Sequence, residues 1–274
     1  MMNLSKRCKI ILGVITGLIL LFLFAPILIV FPLSVSDSAF LTWPPVGISF
    51  RWFETFFSQY KWVTATLNSF KVAILSTAFS LVFGTMAAYG IAKLSVGKKA
   101  ALHTLFIIPM VIPAIVLALA YYFAFAEIGI KRSMFTVLVA HCIISVPYVV
   151  SNVSAGLSNF DWNTQRASLS LGANPVATFW KVIIPSIQPS LIAGGLFAFI
   201  TSFDEVVIAQ FISGTSFKTL PMEMFAGIKN EIQPTIAAAA AMLVILSVVL
   251  QGGMEVLNNR REARLTGKTN SRRG

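Results

Sequence analysis

Two carboxylates, Asp204 and Glu205, stand side by side in FITSFDEVVIAQF, inside an otherwise apolar run of a chain with only 10 acidic residues. A carboxylate at membrane depth is costly, so its default role is functional, facing a water-filled cavity or a partner group. The chemistry open to it is electrostatic: it can attract a positive charge or accept hydrogen bonds. Neighbouring positions on a helix point about 100° apart, so one pathway takes one of the two. Our reading turns Asp204 inward with Ser202 beside or near it, and keeps Glu205 as a candidate. A second reading stays open, with the pair near the outer end of its span, where solvation is cheap. Tyr121, Tyr122 and Tyr148 join the candidate pathway as polar groups at membrane depth, and Trp52 is a candidate for an outer gate.

Catalysis has little to work with. His103 falls at the inner boundary of a span and His141 within one, and there is no H-E-x-x-H, no paired cysteines and no G-x-S-x-G. Cys8 and Cys142 offer neither a disulfide framework nor a metal cluster. No Walker A loop (G-x-x-x-x-G-K-[ST]) occurs either, so the chain is expected to bind no cofactor and to hydrolyse no ATP itself. A membrane-embedded enzyme would need a catalytic cluster that the chain lacks. An ion-coupled secondary transporter would need no ATPase and stays open as a remote alternative.

The elements that position these residues are membrane spans. Apolar residues make up 57% of the chain and charged ones 11%, with a mean hydropathy of +0.82, against about 25% charged in a soluble domain. A crossing helix needs roughly 20 apolar residues, and six stretches qualify, at about 10–33, 67–92, 105–126, 135–155, 187–212 and 236–257. Long unbroken runs predict an all-α membrane protein rather than a β-barrel, because a helix satisfies its own backbone in lipid.

Basic residues set the orientation. With the N-terminus inside, Lys6, Arg7 and Lys9, Lys93, Lys98 and Lys99, Arg166 and Lys181, and the tail from Arg260 to Arg273 all lie on the inner side. Both termini are then cytoplasmic, and so is the segment 159–185. The KRCK-led first run is too long for a signal peptide and reads as a retained span. The net charge of +11 follows from inside anchoring and a basic tail, 258–274, that composition makes solvated and disordered; no nucleic-acid role is expected.

In the first outer loop, residues 49–62 (SFRWFETFFSQYKW) predict an amphipathic interfacial helix with aromatics on one stripe. Asn68 and Ser69 can cap the second span or bond across to a neighbouring helix. Pro109, Pro113 and Pro147 predict bends that shape a central path, although packing alone accounts for kinks of this kind. Neither an inverted repeat nor a linker divides the chain, so a single domain is expected.

The segment between the fourth and fifth spans is polar and helix-like. Asp161 can cap a helix over 164–171, Gly172 with Ala173-Asn174-Pro175 stops it, and a second short helix over 176–183 leads to Pro185. Such a rod, lying across the inner face, can wedge into a groove on a partner and rock the attached spans, given different contacts in the partner's open and closed states.

Arg166-Ala167-Ser168, three residues, Gly172, nine residues and then Val182-Ile183-Ile184-Pro185 resemble the EAA loop, E-A-A-x3-G-x9-I-x-L-P, of membrane subunits of bacterial ABC importers. The resemblance extends from about residue 66 through the sixth span. With FLTWPPVGISFRWFETFF and SFDEVVIAQFISG, the chain looks like the second permease subunit of spermidine/putrescine-type importers. This implies a type I importer permease fold in the bacterial inner membrane, with a core of five helices and an N-terminal helix that packs on the companion. It also implies a second homologous permease, two ATPase subunits carrying ATP and Mg, and an extracytoplasmic solute-binding protein. Asp161, Gln165, Arg166, Ala167, Ser168, Gly172 and Pro185 would form the ATPase-coupling segment. Two departures bear on mechanism. The family's glutamate falls on Arg166, a charge reversal. Polyamine-carrying relatives often place an acid after the proline of the third span, where this chain has Ala114. The implied solute is a small amine, with a polyamine first and a γ-aminobutyrate-like amino acid or an aminophosphonate, which needs fewer negative contacts, as the alternative.

Overall fold

Apolar length dictates helices, and Pro113 is the one proline that ends a long apolar stretch among the described residues, since Pro26, Pro32, Pro109 and Pro147 lie within continuous helices. The computed structural model describes residues 6–230 and 233–270, with the side chains of 6, 7, 230 and 254–270 outside that description. The order is α1 (Lys6–Ser34), α2 (Arg51–Ser58), α3 (Tyr60–Ala92), α4 (Val96–Val111), α5 (Ala114–Glu127), α6 (Met134–Ser158), α7 (Trp162–Ser170), α8 (Pro175–Thr178), α9 (Ile184–Ser186), α10 (Gln188–Asp204), α11 (Val207–Ile212), α12 (Leu220–Asn230) and α13 (Thr235–Asn270). A π-helical turn, Phe179–Ile183, joins α8 to α9, and no strand occurs among the described residues.

Four helices are long and apolar enough to cross a membrane: Cys8–Ser34, Tyr60–Ala92, Met134–Ser158 and Thr235–Gly253. Two bent pairs raise the number to six if each pair is one span: Val96–Val111 with Ala114–Glu127, at 98°, and Pro175–Ser186 with Gln188–Asp204, at 76°.

The structure corrects several sequence expectations. The stretch 105–126 is not one helix. Ile112 and Pro113 are extended, with ψ of 131° and 134°, because a residue before proline is pushed out of the helical region and proline has no N–H to continue a ladder. The stretch 187–212 also breaks, where Glu205 is extended (ψ 120°) and α11 starts afresh at Val207. The interfacial helix is shorter than 49–62: α2 ends at Ser58, Gln59 is extended (ψ 119°), and Tyr60 opens α3. In the tail, 258–270 continue α13 as helix rather than disorder, while 271–274 lie outside the described residues.

The helices fall into two compact units, one combining the chain up to Val63 with Met224–Val249, the other combining Thr64–Glu223 with the chain from Leu250 onward. In the first unit, α1 exposes its apolar side chains along its length, as Leu18 (62%) and Phe22 (79%) illustrate. The loop after it is pinned to α2 by an Arg51–Asp37 ion pair at 3.4 Å and by Trp52 Nε1 donating to Ser36 O at 2.9 Å. Phe56 and Trp62 are buried against each other, with centroids 5.6 Å apart.

The second unit is built around α6, whose buried stripe runs from Thr136 through His141 and Val149 to Leu157. One apolar cluster joins Val72, Ala118, Phe125, Val137, Ile208 and Ile212; another joins Ala88, Val149, Val153, Leu157, Ile183 and Ala198. Asn68 does bond across, donating to Lys218 O at 2.9 Å, while Ser69 Oγ accepts from Leu220 N–H at 2.8 Å. Small residues let the helices close up on α6, as membrane interfaces commonly require. A Cβ on Gly84 would stand 2.8 Å from Val149 Cβ, and one on Gly194 3.1 Å from Val149 Cα, whereas one on Gly90 would meet nothing within 4 Å.

Gly84→Ala therefore sets a steric clash against an intrinsic helix gain of about 1 kcal/mol, while Gly90→Ala receives the gain alone. We expect Gly84→Ala to lower the thermal midpoint of the detergent-purified chain and Gly90→Ala to hold or raise it, as read by size-exclusion melting.

Candidate functional site

The segment between α6 and α10 is set by local chemistry. Asp161 caps α7, its Oδ1 accepting from Asn163 N–H at 3.0 Å. That cap starts the helix at Trp162, two residues before the expected 164. At the other end Gly172 takes φ +89°, its N–H donates to Leu169 O at 3.0 Å, and Ala173 N–H donates to Ser168 O at 3.2 Å. This is a Schellman stop, whose left-handed residue favours glycine. Asn174 Oδ1 then accepts from Ala177 N–H at 2.7 Å, with Pro175 at the first helical position of α8. The second helix expected over 176–183 is observed in three parts: α8, the π-turn and α9.

Aromatic packing ties this segment to the ends of α3 and α6. Tyr89 lies 5.0 Å from Phe179 and 6.4 Å from Trp162, and Phe160 meets Trp162 edge-on at 5.3 Å. Gln165 Nε2 donates to Tyr89 Oη at 3.2 Å, and Lys93 Nζ sits 4.1 Å from the Tyr89 ring centroid. Each aromatic pair contributes about 0.5–1.5 kcal/mol beyond its buried area, which makes the rod a stiff extension of the membrane helices. Gln165 thus faces inward, and the Ser168 and Thr178 hydroxyls pair at 3.1 Å. Outward lie Arg166, Ala167, Gly172 and Pro185, together with apolar side chains that sequence reasoning passed over: Leu171 at 89% exposure, Val176 at 67% and Trp180 at 62%. The signal for Trp180 was a large ring beside Lys181 in the segment between two apolar stretches; Tyr89 had none, because its partners within that segment lie 70 or more positions away.

The paired carboxylates separate by role. Asp204 ends α10 and is exposed. Glu205 turns back and caps α11, Oε1 accepting from Ile208 N–H at 2.9 Å and Oε2 from Ala209 N–H at 3.0 Å. Its side chain is 10% exposed and lies 3.7 Å from Nε2 of the fully buried His141. Ser202 is buried as well, its Oγ 2.9 Å from His141 Nδ1 and accepting from Ser76 Oγ at 2.8 Å. Ser202, Glu205, His141 and Ser76 are therefore one buried network linking α3, α6 and the α10–α11 break. From sequence, His141 stood out only as a histidine without catalytic partners.

The remaining candidates are placed as follows. Tyr121 packs on Phe125 at 6.3 Å and Tyr148 stacks on Phe197 at 6.3 Å. Tyr122 lines a recess of about 410 Å³ with Lys131, Arg132 and Ser216, and the Arg132 guanidinium lies 5.7 Å from its ring. Trp52 lies under the Arg51 guanidinium, 4.5 Å away, and walls a recess of about 630 Å³ with Phe40, Gln59 and Gln233. Among the described residues no group of His, Cys, Asp and Glu is arranged to hold a metal ion.

Residues 80–263 match the family described as "Binding-protein-dependent transport system inner membrane component". The chain is 29% identical over 230 residues to the Haemophilus influenzae spermidine/putrescine transport system permease protein PotC, covering 84% of this chain and 89% of that protein. It is 31% identical over 231 residues to the Escherichia coli K12 putrescine transport system permease protein PotI, covering 81% and 82%. In fold it matches a chain of a bacterial ABC transporter involved in import of the acidic polysaccharide alginate, with TM-score 0.71 and 16% identity over 95% of this chain and 99% of that one. A chain of the MetNI methionine ABC transporter matches with TM-score 0.57 and 18% identity over 71% and 93%.

At Gly172, an alanine placed at φ +89° costs about 1–2 kcal/mol. Gly172→Ala should raise amide hydrogen exchange at Leu171 and Ala173 roughly tenfold, with exchange in α6 unchanged.

Proposed function

Because this chain belongs to the family of binding-protein-dependent transport system inner membrane components, we propose that it is a permease subunit of an ATP-driven ABC importer. With a second, homologous permease it forms the path for a small amine-bearing solute. In this reading α4 with α5 forms one broken span and α10 opens another, giving six, with both termini and α7–α9 on the cytoplasmic side of the bacterial inner membrane and one permease domain overall. ATP and Mg act on two separate ATPase subunits, and an extracytoplasmic binding protein delivers the solute.

The coupling surface carries the reading. A short rod, capped by Asp161 and stopped by Gly172, is clamped through Tyr89 to the end of a span, and it turns Arg166, Leu171 and Trp180 outward. A rigid rod of this kind converts movement of a partner into movement of spans, because it is joined through stacked rings rather than by a loose loop. Its exposed residues combine the cations Arg166 and Lys181 with the apolar Leu171, Val176 and Trp180 among polar neighbours, so the groove that receives it offers an acid to Arg166 and an apolar wall to the rings and aliphatic groups.

For the solute, the names of the related spermidine/putrescine and putrescine permeases support a polyamine. One observation favours a second reading, a monoamine such as a γ-aminobutyrate-like amino acid or a 2-aminoethylphosphonate-like compound. Glu205 is occupied in capping α11, which leaves Asp204 as the exposed carboxylate of the pair.

Two measurements test these assignments in the intact transporter. Gly172→Trp should abolish uptake and solute-stimulated ATP hydrolysis while the chain stays in the membrane; unchanged transport would remove the coupling role. Asp204→Asn should raise the half-saturation for the solute roughly tenfold or more, as loss of a charge-assisted contact of about 1.5–3 kcal/mol requires. Competition of uptake by putrescine, γ-aminobutyrate and 2-aminoethylphosphonate separates the two solute readings.

A further inference from the structure

Inside hydrocarbon, a helix that stops and restarts must find partners for its free N–H and C=O groups within the protein. At the α10–α11 break, Glu205 supplies them, receiving the amides of Ile208 and Ala209 at 2.9 and 3.0 Å. Nothing in that cap explains why a buried imidazole stands next to it. His141 Nε2 lies 3.7 Å from Glu205 Oε2 and meets no hydrogen-bond partner, although the ring is fully buried. A buried polar atom left in that state is expensive, about 1–3 kcal/mol, so it is held there for a reason.

The other end of the ring supplies the reason. Ser76 Oγ donates to Ser202 Oγ at 2.8 Å, and Ser202 Oγ lies 2.9 Å from His141 Nδ1. When Ser202 donates to Nδ1, the proton of a neutral imidazole sits on Nε2 and faces the Glu205 carboxylate. The hydrogen bonds then run in one direction, Ser76 to Ser202 to His141, and the Nε2–H at the end of that series faces the Glu205 carboxylate across 3.7 Å, a charge–dipole contact rather than a hydrogen bond. It starts in α3, crosses α10, passes through α6 and ends at the break.

We infer that His141 is a positioning residue for solute contact: oriented by Ser202, it steadies Glu205 on the α11 cap. The bend so held leaves Asp204 as the carboxylate that meets the amine. This rests on the proposed role of Asp204 in the pathway. Swinging Glu205 off the cap would free two amides of α11 and carry its neighbour with it, since Asp204 is joined to Glu205 by one peptide bond at the break. His141 thus acts on the solute through Glu205, without touching it.

The two amide side chains separate this role from simple packing. Gln reaches about as far as Nε2 and keeps a donor toward Glu205, whereas Asn reaches only as far as Nδ1 and keeps the contact to Ser202. Concentration dependence of uptake is measured for the intact transporter carrying His141→Gln, His141→Asn or Asp204→Asn, each normalised to protein in the membrane. We expect His141→Gln to stay within about threefold of the wild-type half-saturation and His141→Asn to raise it about tenfold, with maximal rates held within about twofold. An Asn variant equal to or better than the Gln variant, or a loss confined to maximal rate, overturns the positioning role. Should neither His141 variant accumulate, Ser202→Ala decides. A raised half-saturation with normal maximal rate supports the inference, and wild-type values overturn it. An unaffected Asp204→Asn transporter instead removes the pathway assignment on which the inference stands.

Discussion

A helix that stops leaves backbone groups without helical partners, and two of the apolar helical stretches here stop and restart. That constraint organises the second unit. At Ile112–Pro113 the chain turns by 98°, and proline lightens the cost because it has no N–H to leave unpaired. At Glu205–Val206 no proline helps, and a side-chain carboxylate takes over the role of the missing carbonyls. The buried hydroxyls and imidazole around it follow from that first requirement, since a carboxylate placed among apolar side chains needs donors of its own.

The same helices also hold the rod. α6 is the most enclosed element, and glycines on α3 and α10 let both approach Val149 closely. At the C-terminal ends of α3 and α6, Tyr89, Phe160, Trp162 and Phe179 continue the packing into α7 and the π-turn. Packed interiors respond by discrete shifts rather than gradual deformation. A push on α7 therefore reaches α3 and α6 as displacement of whole helices. The polar network at Ser76, His141, Ser202 and Glu205 lies further along those same helices. One set of elements thus links the rod to the carboxylates.

The charge reversal at Arg166 gains meaning from its surroundings. Its side chain is exposed, as are Leu171, Val176 and Trp180 of the same segment, and an ion pair at an exposed rim specifies orientation more than it adds affinity. Gln165 and Ser168, its neighbours in the motif, are turned inward to Tyr89 and Thr178. Motif spacing here therefore mixes two duties, with some positions building the rod and others presenting it.

Much of this was legible in the residues themselves. The helical class, the spans at 10–33, 67–92 and 135–155, and the capped rod with its glycine stop follow from local rules of apolar length, proline and capping, which act over a few positions. Pro113 announced a bend, but a kink and a full break look alike in sequence, since both begin with the same missing N–H. The division of labour between Asp204 and Glu205 was not legible at all. Adjacent carboxylates have the same chemistry, and only the fold brings His141, 64 positions earlier, beside one of them and leaves the other exposed. Local backbone chemistry is written in neighbouring letters; the partner of a buried charge is chosen by packing between distant helices, and that is decided in three dimensions.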